Sequence, residues 1–416
     1  MSKRSSFVAG AAALAAGFPA FIPRLGEAAD AIKLGDIEEL TGVFASQGRS
    51  SMRGTQMAVD AWNARGGVMG RRIELLIEDD NNQPGAAVEK ARKLIEQDKC
   101  AALVGTTNSG CTLAVSNTAS QMGLLFVNSG GHADQITGSN CHWNTFQVCH
   151  SAWMLTHGSG LFFAKEFGKR WYFITPDYAF GHSLLDGYKD VLKGLGGQIA
   201  GEDLVPVGTS DFSPYLVKVL AQKPSCLILN GISGDDYINC MKQARGFGIL
   251  DKIPVGGPYA QLETLWALPE EMRVGYYGCE WSYSSNMVLG NARTAAHKFT
   301  ADFRARFGSP PTEHSCWGYV AADRVLSAMQ DTKSTDAVKL ARALEGSSFR
   351  GLWVGATHYR HVDHQLMWPM WYGKIRPTGT AQDKDDVFEV MGSVAAEDVV
   401  RPPAQAATIC HLNYPA

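Results

Sequence analysis

Two runs of small polar residues carry the clearest chemical signal in this 416-residue chain. Gly105-Thr106-Thr107-Asn108-Ser109-Gly110 closes one short apolar run, and Asn128-Ser129-Gly130-Gly131 closes the next. Each puts hydroxyls and backbone N–H groups where a helix would begin. A helix start is electropositive and short of acceptors, so the pair suits an anionic group such as a carboxylate. Capping alone explains any one of these residues; the two loops together point to binding. Further along, Pro176-Asp177-Tyr178-Ala179-Phe180-Gly181, Asn230-Gly231-Ile232-Ser233-Gly234 and Gly256-Gly257-Pro258-Tyr259 also close apolar runs. Rings at such positions suit the wall of a cleft, and the glycines beside them let a ligand approach the backbone.

Signals for catalysis are weak. The chain has no Gly-x-Ser-x-Gly elbow, no phosphate loop ending in Gly-Lys-Ser/Thr, no His-Glu-x-x-His and no dinucleotide-type glycine pattern. Nine cysteines are present without a Cys-x-x-Cys pair. Cys141 and Cys149 flank His142, but the spacing fits no zinc pattern, and buried free thiols are the expected state of most of the nine. His358, His361 and His364 cluster on what reads as a surface loop. A formal charge of −3 gives no electrostatic footprint for nucleic acid.

The elements that must position these loops alternate. Strand-like runs at Ile32–Ile37, Arg72–Glu78, Ala101–Gly105 and Leu124–Val127 are separated by one-faced helical patterns through Met57 and Trp62, through Ala91 and Leu94, and from Leu113 onward. After a helix over Trp153–Phe167 the pattern restarts. Strands are expected at Trp171–Ile174, Cys226–Asn230, Ile253–Val255 and Val274–Cys279, and helices at Ser183–Leu195, Ser213–Ala221 and Tyr237–Phe247. This order predicts an α/β fold of two doubly wound lobes, each a parallel sheet wrapped by helices. No low-complexity tether separates them, so short crossing strands are expected as the joint. The section from Asn291 to Leu344 is helical in pattern, Trp368–Tyr372 is strand-like, and the tail after it shows few helix signals and is expected to return to the first lobe.

The N-terminus reads as an export signal. Lys3-Arg4 precedes an apolar run from Phe7 to Phe21 and an Ala29-Asp30-Ala31 cleavage pattern. The run is too short to span a bilayer. The expected organisation is a signal peptide over 1–31, one lobe over 32–150, a second over 151–285, and a final section, 286–416, of hinge crossings, helices completing both lobes and the tail.

Four stretches resemble a known family. Glu39-Leu40-Thr41-Gly42 with Gly48 and Gly54, Asn63–Gly70, Asp177–Gly181 and Gly246-Phe247-Gly248 follow, in order, the pattern of type I periplasmic solute-binding proteins of the branched-chain amino-acid class, receptors of ABC importers. The resemblance implies a two-lobed clamshell with a three-strand hinge, a ligand held between the lobes, no catalysis, no cofactor and no metal. The implied partners are a small carboxylic acid and the membrane permease and ATPase subunits of an importer. The implied ligand residues are Gln47, Asn108, Ser109, Ser129, Gly130 and Gly131 from the first lobe and Tyr178, Phe180, Ser233 and Tyr259 from the second. It also implies a disulfide between Cys141 and Cys410.

One departure bears on the ligand. Amino-acid binders of the family place an acid after the Gly-Pro near residue 258, where it meets the ligand ammonium; here Tyr259 stands there. A buried ammonium without a counter-charge is costly, unless Asp177 or Asp235 supplies one. With Tyr178, Phe180 and Trp281 as candidate rings, the expectation is an aromatic or other organic acid, bound at its carboxylate by Ser109 and the Ser129-Gly130 backbone. The alternatives are a branched-chain amino-acid or amide receptor, a sensor signalling to a partner through the same clamshell, and, more remotely, a Rossmann-like enzyme.

Overall fold

The computed structural model describes residues 30–290, 294–377, 379–381 and 383–415. The export-signal stretch, apart from its last two residues, lies outside them. Residues 31–416 form one compact unit. No helix among the described residues is long and apolar enough to cross a membrane.

The chain first lays down β1 (Ile32–Glu38), α1 (Ala45–Ala64), β2 (Ile73–Asp79), α2 (Pro84–Arg92), β3 (Ala102–Gly105), α3 (Ser109–Gln121), β4 (Phe126–Asn128) and β5 (Thr145–Gln147). These strands form an all-parallel sheet in the order β2-β1-β3-β4-β5. The inner strands β3 and β4 are short, buried and mostly apolar, as a sheet covered on both faces requires, whereas β1 and the edge strand β2 also carry charged residues. Helix α4 (Ala152–Phe167) leads to the second sheet, built from β6 (Arg170–Pro176), β7 (Gln198–Val205), β8 (Cys226–Leu229), β9 (Val255–Gly257) and β10 (Tyr276–Cys279). Helices α5 (Ala179–Leu195), α6 (Ser213–Gln222), α7 (Gly234–Gly246) and α8 (Leu262–Ala267) alternate with them.

After a single turn, α9 (Asn286–Leu289), come α10 (Ala295–Phe307), α11 (Glu313–Thr332) and α12 (Ala337–Leu344). Helix α11 returns to the first half, packing on α1 and over β3 and β4. Three short strands, β11 (Ser348–Phe349), β12 (Thr357–Tyr359) and β13 (Leu366–Met367), form a small antiparallel sheet. The chain then adds β14 (Met370–Ile375) and β15 (Phe388–Val394) antiparallel to the edge of the second sheet, whose order is β15-β14-β10-β9-β8-β6-β7. Two short helices, α13 (Ala396–Val399) and α14 (Pro403–Ile409), end the chain.

The tail therefore does two things where the sequence suggested one. Strand β15 completes the second sheet, and only then does the chain return to the first half, where Cys410 is bonded to Cys141, 269 residues earlier. The remaining seven cysteines are free and buried. Of the three clustered histidines only His361 is exposed. His364 is fully buried, stacked on Phe146 with its Nδ1 on the Thr145 carbonyl, so the surface-loop expectation fails there.

The segments that pass between the sheets meet in one buried cluster. The His150 N–H donates to Glu280 Oε1 at 2.8 Å, and the His150 ring stacks on Trp368 with centroids 3.7 Å apart. Trp368 Nε1–H donates to the Val148 carbonyl, and Trp353 Nε1–H to the Glu280 carbonyl. Each crossing is thus tied to another by buried, directional bonds, which is more specific than apolar packing alone.

Candidate functional site

In an open parallel sheet, ligand loops gather where strand order reverses. In the first sheet that point lies between β1 and β3, and in the second between β6 and β8. Loops from both reversal points line a single cavity. The first half contributes Phe44, Gln47, Thr107, Ser109, Gly130 and His132; the second contributes Tyr178, Phe180, Ser233, Tyr259 and Gln261; His314 comes from the start of α11. The two sides touch: Gln47 Nε2 lies 3.4 Å from Gln261 Oε1, and the Asp134 N–H donates to Ser183 Oγ at 3.2 Å. A second cavity shares Tyr259 and Gln261 with the first.

Seven expected ligand residues, Gln47, Ser109, Gly130, Tyr178, Phe180, Ser233 and Tyr259, line the cavity. Asn108, Ser129 and Gly131 do not. Asn108 caps α3, its Oδ1 accepting from the Gly110 and Cys111 N–H groups. The Ser129 hydroxyl is directed at the buried Glu38 carboxylate, 3.3 Å away. The expected carboxylate cradle of backbone N–H groups is also spent internally. Ser129 N–H donates to the Gly105 carbonyl, Gly130 N–H to the Thr106 carbonyl and Gly131 N–H to Asn128 Oδ1. What remains is the Ser109 hydroxyl. It accepts from the His132 and Ala133 N–H groups at 3.0 and 3.1 Å, which leaves its own proton to give.

Neither candidate counter-charge reaches the cavity. Asp177 and Asp235 are exposed, and Asp177 pairs with His182 at 2.8 Å. Trp281 is not a cavity ring either; it is buried against Phe299, with Nε1–H on the Pro311 carbonyl. The rings that do face the space are Phe44, Tyr178, Phe180 and Tyr259.

Two histidines were not singled out from the sequence. His132 stands among Phe180, Tyr259 and Trp317, with centroids 5.1, 5.2 and 5.1 Å away. Its Nδ1 meets the His150 carbonyl at 2.6 Å and must be the donor there. Burial lowers its pKa, so the ring is neutral and Nε2 is a bare acceptor, buried without a partner among the described residues. His314 is the opposite case. Burial opposes its charge, yet the facing Glu263 and Glu313 carboxylates outweigh it and push its pKa up to about 10. With Nδ1 turned to those carboxylates at 3.4 and 3.3 Å, Nε2–H is left on the other edge of the ring. His132 could have been found as the residue after the Gly130-Gly131 pair; nothing local marks His314.

Beneath the first-half loops lies a group of acids. Glu38 accepts from the Thr107 hydroxyl at 2.8 Å, and Glu39 accepts from the Phe44 N–H at 2.9 Å, fixing the loop that carries the Phe44 ring. Burial raises the pKa of Asp36 to about 7 and of Glu39 to about 8, and raises Glu38 and Asp80 as well.

A family model described as periplasmic binding protein matches residues 31–381. A relative, Leu/Ile/Val-binding protein homolog 8 of Brucella abortus (strain 2308), is 28% identical over 314 residues, covering 72% of this chain and 76% of its own. A periplasmic binding protein from Burkholderia mallei superposes with a TM-score of 0.84 at 26% identity, over 91% of this chain and 98% of that one. The fold is also that of a solute-binding protein of an ABC transporter from R. palustris in complex with benzoate, with a TM-score of 0.78 at 21% identity over 88% and 96% of the two chains.

Proposed function

The chain belongs to the periplasmic binding protein family, and from that premise we propose that it is an exported receptor that takes a small aromatic carboxylic acid between its two halves and delivers it to an ABC importer. One observation carries the reading. No aspartate or glutamate is among the twelve residues lining the cavity, while an imidazolium, His314, is. An α-ammonium would sit there without a counter-charge, which is costly for a buried charge; a carboxylate would find one.

The roles follow from the geometry. Ser109 Oγ–H and His314 Nε2–H donate to the carboxylate. Phe44, Tyr178, Phe180 and Tyr259 bracket the ring, each aromatic pair adding about 0.5–1.5 kcal/mol beyond burial. His132 Nε2, a buried acceptor, favours an acid that also bears a hydroxyl. Because both halves supply contacts, ligand favours the closed arrangement over an open one, a hinge motion that a permease and its ATPase subunits can read.

Mass spectrometry of small molecules released from the purified, denatured protein tests the ligand. The expected release is an aromatic or related organic acid. Release of leucine, isoleucine or valine instead would overturn the assignment.

A further inference from the structure

We propose that Glu263, Glu313 and His314 form a binding site for a divalent transition-metal ion, held between the two halves of the molecule beside the ligand cavity. Glu263 sits on α8, the crossover between β9 and β10 of the seven-stranded sheet; Glu313 and His314 open α11, which packs on α1 of the other half. All three side chains are nine-tenths buried or more, at 8, 1 and 2% exposure.

The spacing is what separates a metal centre from a plain ion pair. His314 Nδ1 lies 3.3 Å from Glu313 Oε1 and 3.4 Å from Glu263 Oε1. A charge-assisted hydrogen bond would draw one carboxylate to about 2.7–2.9 Å and could serve only one, since Nδ1 carries a single proton. Instead the two stand off equally. Ligand atoms bound at about 2.0–2.2 Å around a tetrahedral ion are spaced by roughly 3.3–3.5 Å, and the two imidazole–carboxylate separations have that value. None of His314 Nδ1, Glu313 Oε1 and either oxygen of Glu263 makes a well-formed hydrogen bond among the described residues; the imidazole and the two carboxylates are instead ion-paired with one another. The candidate ligand atoms all lie within 4.8 Å of one another.

One imidazole nitrogen with two carboxylates suits zinc and its first-row neighbours, with a position left for water. Leu262 N–H points at Glu313 Oε2, 3.5 Å away, and holds that carboxylate in place. The ion would take the place of the Nδ1 proton, releasing it to solvent, so that its own charge replaces the imidazolium's behind the cavity wall while Nε2–H stays a donor toward the cavity. Linear spacing could not reveal the site, because its ligands come from helices about fifty residues apart in the chain. An ion that joins α8 to α11 favours the same closed arrangement that an interlobe ligand favours, so each tightens the other by an equal factor.

The test uses the processed full-length protein, stripped with a chelator and then equilibrated with zinc alone, without any organic acid. The proposal expects close to one zinc retained per chain after desalting and a raised melting midpoint. It expects Glu263→Gln and His314→Gln to weaken zinc at least about a hundredfold, more than loss of a group one step behind a ligand. Cobalt provides a check that needs no variant: the wild-type protein should give the visible bands of a four-coordinate site. Wild-type protein that retains no zinc and gives only the spectrum of hydrated cobalt overturns the proposal, as does zinc retained equally by folded Glu263→Gln. Either failure leaves the organic-acid reading intact, since no acid is present in the test.

Discussion

The Ser109 hydroxyl accepts two backbone N–H bonds and keeps one proton to donate. Ser109→Ala removes that donor, and calorimetric titration should show ligand binding weaker by about 1–3 kcal/mol, the cost of leaving a charged acceptor short. Unchanged affinity in the folded variant would show that the hydroxyl does not touch the ligand. The acids beneath the loop make a second residue-scale prediction. An unfolded aspartate loses its proton near pH 4, whereas buried Asp36 holds its own to about pH 7. Between those values the folded chain binds more protons than the unfolded one, so this group's contribution to stability falls as pH rises and is level above about 7. Asp36→Asn cannot ionise. Its stability relative to wild type should therefore climb between pH 5 and 7, by up to about 1.4 kcal/mol per unit; a difference that stays flat across that range would contradict the burial argument. At this scale the sequence was informative where a residue's role follows from its place after a strand: Tyr178, Phe180, Ser233 and Tyr259 all reach the cavity. It was silent on how hydrogen bonds are spent. Ser129, Gly130 and Gly131 were expected at a helix start, but no helix lies between β4 and β5, and each N–H is already bonded within the loops.

Among the elements, the crossing of α1 and α11 matters most, because α11 brings Glu313 and His314 to the site. The two helices approach backbone to backbone. A Cβ on Gly54 would stand 1.9 Å from the Ser315 carbonyl oxygen, and one on Gly318 would stand 2.2 Å from that of Ser51. Gly54→Ala should cost about 1–3 kcal/mol as an overpacking change and should also weaken ligand binding, since it pushes on the turn that carries His314. Gly194→Ala in α5, where a Cβ meets nothing within 4 Å, should be neutral or slightly stabilising by chemical denaturation. Equal behaviour of the two variants would refute the close-contact account. Gly54 was legible as a motif residue in the sequence, but its reason was not, since its partner lies some 260 residues away. The same separation hides the value of the Cys141–Cys410 bond, which ties the tail to the first half. Its reduction should lower stability by roughly 2–5 kcal/mol in denaturant titration, and no loss on complete reduction would mean the tail is held by its other contacts.

For the whole molecule, alternating strands and helices made the two α/β layers legible, because parallel sheets write themselves as apolar runs at regular spacing. The completion of the second sheet by β14 and β15 was not, since antiparallel edge strands arrive late in the chain after an excursion through the first half. Nor was the acid arrangement: Glu263 and Glu313 lie behind His314 rather than on the cavity, so the group they present to the cavity wall is a protonated imidazole and not a carboxylate. That inversion is the central claim about specificity, and titration calorimetry of benzoate, benzamide and leucine into the ligand-free protein tests it most directly. The account predicts measurable binding of benzoate, loss of most of that affinity for the uncharged benzamide, and no detectable binding of leucine. Tight binding of leucine with none of benzoate would contradict it.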